Sequence, residues 1–82
     1  MRTHELKTLW TFWDAVADGR KTFEIRENDR GFQTGDKLLL VRTVPGQPNM
    51  EKQVITKTIT YVLSGWGLKN GYVALGLSED NA

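Results

Sequence analysis

The sequence predicts a mostly β domain with one main helix, in which a small antiparallel sheet curls into a barrel and the helix covers one open end. Three observations carry that expectation. An apolar stripe with helical spacing occurs once, near the start of the chain. After Gly19 the apolar period changes to two and stays there. Gly, Pro, Asn and Asp then punctuate the chain at intervals suited to strand connections.

Thr3–Lys7 reads as a short extended lead-in. Leu9, Phe12, Trp13 and Val16 follow at i, i+3, i+4 and i+7, one apolar stripe on a helix. Thr8 or Thr11 is placed to cap its start, and Thr11 with Asp14 has the spacing of a capping box. Gly19 stands where a left-handed residue ends a helix. Arg20 and Lys21 suit its negative terminus. Phe23 and Ile25 alternate with Thr22, Glu24 and Arg26, which predicts a half-buried strand. Asn28–Gly31 is turn-forming, and Gly35-Asp36 introduces a strand over Lys37–Val44 with an apolar centre at Leu38–Val41. Pro45-Gly46 and Pro48-Asn49 form the connection to a long β-rich run, Lys52–Leu63. There Ile55, Ile59, Tyr61 and Leu63 share one parity with Lys57. Gly65, Gly67 and Gly71 precede a last strand over Tyr72–Leu77. Ser78–Ala82 reads as a polar tail that frays.

At 82 residues the chain is expected to form one domain, residues 1–82. Its eight aromatic side chains, three Trp, three Phe and two Tyr, can fill a core without covalent staples. The chain has no cysteine and one histidine, which excludes disulfides, thiolate metal sites and a multi-histidine site within one chain. No metal or other cofactor is expected. With no apolar run for a signal peptide or membrane span, the expected compartment is the cytoplasm. Lys and Arg number 11 against 10 Asp and Glu, which argues against bulk electrostatic binding to duplex nucleic acid. Any nucleic-acid contact must use a local basic cleft.

Gly19-Arg20-Lys21 followed by Arg26 resembles the ASCH signature, Gly-x-Lys with an Arg five residues on. His4-Glu5-Leu6-Lys7, Phe23-Glu24-Ile25-Arg26, Asn28-Asp29-Arg30 and Phe32-x-x-Gly35-Asp36 resemble the DUF3850 family, an ASCH/PUA-like group of small bacterial and phage proteins. Tyr61-Val62-Leu63-Ser64-Gly65 and Gly71-Tyr72-Val73 extend the likeness over nearly the whole chain. The resemblance implies a PUA-like barrel and a cleft beside the helix, lined by the signature Lys and Arg. ASCH domains are proposed to bind RNA, so RNA or a modified nucleoside is the implied partner. A distant relative, the bacterial N4-acetylcytidine amidohydrolase, uses the Lys that corresponds to Lys21 and a Thr where this chain has Glu24. It also uses a Glu from a helical insertion that this chain's pattern does not show.

The expected cleft residues are Lys21, Glu24 and Arg26, with Lys7 and Arg30 as a cationic rim and Trp66 as a stacking residue. Arg26 offers a fixed fork to phosphate, and Glu24 can accept from a base amino group. The ordinary alternatives are a solvated Lys21 at a helix end, a surface Glu24–Arg26 pair, and Trp66 as a lid on the barrel mouth. If the protein were an enzyme, Lys21, Glu24 and His4 would be the catalytic candidates, with His4 facing Glu24 for proton transfer. The function expected is an RNA-binding module. The alternatives are a small hydrolase of the amidohydrolase or ribonuclease type, and a protein-interaction module, monomeric or weakly dimeric.

Overall fold

The computed structural model describes residues 1–47 and 52–79. Five strands and one helix follow in the order β1 (Thr3–Leu9), α1 (Trp10–Ala17), β2 (Phe23–Glu27), β3 (Lys37–Thr43), β4 (Val54–Ser64) and β5 (Tyr72–Glu79). They build one sheet in the spatial order β1-β3-β4-β5-β2, curled into a half-barrel. The lead-in is thus a full edge strand. It pairs parallel to β3, with His4 opposite Leu38 and Leu6 opposite Leu40. The other pairings are antiparallel. A parallel pair requires a crossover, and here the crossover includes the helix. The chain leaves one edge of the sheet, β1, passes through α1 and returns at the other edge, β2.

The concave face holds the core: Leu6, Trp13, Val16, Phe32, Leu38, Leu40, Ile59, Val73 and Leu75. The alternating burial of β1 explains its contribution, because His4, Leu6 and Thr8 point inward and their neighbours outward. Trp13 anchors the helix, its indole N–H donating to the Leu40 carbonyl at 2.8 Å. Arg42 on β3 adds a two-pronged contact to Asp14, at 2.8 and 3.1 Å. The hydrogen bond from Arg42 holds the Asp14 carboxyl below its ordinary pKa.

The predicted apolar stripe divides in two. Trp13 and Val16 are buried, whereas Leu9 and Phe12 are exposed beside them. Neither threonine caps the helix: Leu9 is the N-cap and makes no side-chain cap. Thr8 lies on β1, its hydroxyl donating to the Leu6 carbonyl. The stop at Gly19 follows expectation, whereas the Arg20 and Lys21 side chains pair with Asp18 and Glu24 rather than with the helix terminus. Gly19 has φ +87°, its N–H donates to Val16 and the Lys21 N–H reaches Ala15.

Two strands depart from the simple alternation. In β2 the charged side chains face inward: Glu24 is buried, Arg26 half-buried, and Phe23 and Ile25 exposed. In β4 the register shifts between Ile59 and Tyr61, leaving Thr60 as the extra residue of a bulge. Ile59 is therefore buried and Tyr61 exposed, while Val62 packs against the core. Strand β5 runs on through Ser78 and Glu79, opposite Thr58 and Lys57, so the chain expected to fray from residue 78 is paired for two more residues. Pro48-Asn49 and residues 80–82 of the expected tail lie outside the described residues.

Candidate functional site

The bend between α1 and β2 aims Lys21 along the start of β2. Its ammonium donates to the Glu24 carboxylate at 2.6 Å and to the Phe23 carbonyl at 2.7 Å. It also lies over two phenyl rings, 5.4 Å from the Phe12 centroid and 5.0 Å from that of Phe23. Arg26, two residues along the same face, donates its Nε to the other Glu24 oxygen at 3.0 Å. One of its terminal nitrogens spans to β1, where the Lys7 carbonyl and the Thr8 hydroxyl both accept at 3.1 Å. Glu24, 4% exposed, thus holds two cations with its two oxygens. Burial of a carboxylate is tolerated because both oxygens are matched by charged donors.

This triad forms the floor of a cleft of about 530 Å³ between the two sheet edges and the helix. Lys7, Thr8 and Leu9 of β1, Phe12 of α1, and Phe23 and Ile25 of β2 complete its walls. The volume is that of an ordinary small-ligand site. Leu9, Phe12, Phe23 and Ile25 are each exposed by 40–52%, so the rim is apolar and open to water. Clusters of exposed apolar side chains are a common feature of surfaces that meet a partner or ligand.

Lys21, Glu24, Arg26 and Lys7 all line this cleft, Lys7 meeting Arg26 through its backbone carbonyl. The other three candidates lie elsewhere. Arg30 donates to the Glu5 carbonyl at 2.8 Å, lower on the seam, and does not line the cleft. Trp66 covers no barrel mouth: it is 90% exposed at φ +54°, between Gly65 and Gly67, which also have positive φ. His4 does not face Glu24. Its Nε2 is 2.9 Å from Asp36 Oδ2, and its ring packs edge-on against Phe32 at 4.8 Å. Burial tends to raise the Asp36 pKa, but hydrogen bonds from His4 and from the backbone N–H groups of Arg2 and Gln33 outweigh it and hold the carboxyl at about 2. His4 and Asp36 thus tie the N-terminal strand to the turn before β3.

The apolar walls are what sequence reasoning missed. Phe12 and Leu9 fitted a core stripe, and Phe23 and Ile25 fitted one face of a half-buried strand. The available signal was Glu24 with Arg26 on the opposite parity, following Lys21 by three and five residues. Among the described residues no cluster of three or more His, Cys, Asp or Glu side chains could hold a metal ion. Nor is any described helix long and apolar enough to cross a membrane.

A curated relative, an "uncharacterized 12.9 kDa protein in GpA 3'region" of Escherichia phage P2, is 34% identical over 65 residues. The match covers 79% of this chain and 60% of that relative, so the chain accounts for under two thirds of the relative's length. The family described as "Domain of unknown function (DUF3850)" matches residues 3–77, and the chain belongs to that family.

Proposed function

We propose that the cleft binds RNA through an unpaired nucleotide, as an ASCH/PUA-like RNA-binding module. The observation that carries this reading is the pairing of open aromatic walls, Phe12 and Phe23, with a fixed cationic floor. A base has two apolar faces and polar edges. Phe12, Phe23 and Ile25 offer surfaces for the faces. Lys21 retains an N–H beyond the two it donates, and Arg26 retains its second terminal nitrogen, for edge carbonyls or phosphate.

The near-balanced overall charge supports a local contact rather than a long electrostatic track. Binding is favoured over hydrolysis because the Lys21–Glu24 contact ties together the two groups that acid–base chemistry would need to act separately. His4, the third candidate, is engaged by Asp36.

Fluorescence anisotropy of labelled single-stranded RNA and of tRNA tests the proposal, with wild type and Lys21→Ala titrated at low and moderate salt. Binding is expected to weaken with salt at a slope of about −0.7 per phosphate engaged, for one to three phosphates. Lys21→Ala is expected to lower affinity about tenfold, as loss of a charged hydrogen bond does. Affinity indifferent to Lys21 would overturn the assignment. Turnover of acetylated cytidine or RNA by wild type would move it to the hydrolase class.

A further inference from the structure

A second cavity, of about 230 Å³, lies beside the cleft and shares Lys21 as a wall. Its other lining residues include Lys57, Thr22, Ser78 and Glu79. Lys57 is an unusual residue to find there. It occupies the concave face of β4, between Leu38 on β3 and Glu79 on β5, and is 8% exposed. A buried ammonium is costly unless well paired. Yet its carboxylate partner, Glu79, has a side chain 79% exposed near the end of the last strand. Such a pairing holds the ammonium in place but leaves its carboxylate readily displaced by another anion. The core packing does not call for a cation at this position, where Ile55 and Ile59 flank it on the same strand.

Resting on the RNA-binding reading, we infer that this second cavity receives the phosphate of the nucleotide whose base enters the cleft, so that the unit recognised is a nucleoside monophosphate rather than a bare nucleoside. Lys57 is the phosphate's main charge partner and Glu79 the group it displaces. Lys21 stands between base and phosphate, and the Thr22 hydroxyl supplies a neutral donor. The nearby end of α1 does not oppose an anion strongly, because the Ala15 and Val16 carbonyls are already bonded by the Lys21 and Gly19 N–H groups. A phosphate fits the smaller cavity, and a base with its sugar fits the larger.

Calorimetric titration of the intact chain with the four ribonucleosides, their 3′- and 5′-monophosphates and a short single-stranded oligonucleotide tests this. At least one monophosphate is expected to bind about tenfold tighter than its nucleoside. Lys57→Gln should reduce that advantage to less than about twofold, and Glu79→Gln should enlarge it by removing the competing carboxylate. Glu79 is exposed, so its variant serves even if Lys57→Gln unfolds. Equal binding of nucleoside and monophosphate, or an advantage unchanged in both variants, overturns the phosphate pocket while leaving the cleft reading intact. Oligonucleotide binding without monophosphate binding has the same meaning. If no nucleoside, monophosphate or oligonucleotide binds the folded chain, both readings fail together.

Discussion

Glu24 is the residue on which the cleft floor depends. Lys21 and Arg26 each have one carboxylate oxygen of Glu24 as partner, and both cations are mostly shielded from water. Removing the shared acceptor leaves two partly buried charges facing each other. Glu24→Ala is therefore expected to destabilise the fold by about 2 kcal/mol, more than Lys21→Ala, as urea denaturation would read. A stability equal to wild type would show that the triad is held by water rather than by Glu24. Asp36 makes a different prediction, in pH. Its folded pKa of about 2 lies below its ordinary value of 3.8. The ionised form is thus favoured by folding, and its contribution is fully present above about pH 4. It is lost as pH falls toward 2. Denaturation measured between pH 5 and 2 should show a declining limb that is shallower in Asp36→Asn.

Among the elements, β4 and β5 decide how the sheet curls. The bulge at Thr60 moves every later side chain of β4 to the opposite face, which is why Val62 rather than Tyr61 meets the core. Gly76 makes room for that bulge. A Cβ built there would lie 2.9 Å from the Thr60 hydroxyl. Gly76→Ala should cost about 1–2 kcal/mol. For a domain of this size that lowers the melting temperature by roughly 4–8 °C per kcal/mol. Removing the hydroxyl and methyl in Thr60→Ala/Gly76→Ala should recover most of the loss. Additive losses in the double variant would mean that Gly76 matters for another reason. The same elements set the site: β2 presents Glu24 and Arg26 inward because they find partners across the seam, at Lys21 on one side and at Lys7 and Thr8 on the other.

At the scale of the whole molecule, the half-barrel leaves two sheet edges, and arginines span the gap between them. Arg26 bonds the Lys7 carbonyl, and Arg30 the Glu5 carbonyl. Arg2 bonds the carbonyls of Arg30 and Gly31, joining the strand's start to the same turn. Unpaired strand edges are templates for association, and charged side chains across them prevent it. Arg30→Ala removes one such guard without touching the cleft. It is expected to give concentration-dependent self-association by light scattering, with the fold retained by circular dichroism. A strictly monomeric variant would show that the β1 edge is protected by its curvature alone.

Local sequence by itself determined the single helix, the approximate strand positions and the left-handed stop at Gly19, because these depend on periodicity and on residues a few positions apart. It also named Lys21, Glu24 and Arg26 together, since their spacing along one segment and the family likeness point to the same site. It could not determine which face of β2 turns inward. Phe23-Glu24-Ile25-Arg26 alternates equally well in either sense, and the choice depends on partners outside the segment. Tertiary structure decided that Phe12 and Phe23 become walls rather than core, that His4 meets Asp36 instead of Glu24, and that Lys57 opens beside Lys21. The physical reason is common to all three: alternation defines two faces, but only distant strands and the returning helix decide which face is filled with apolar packing and which with paired charge.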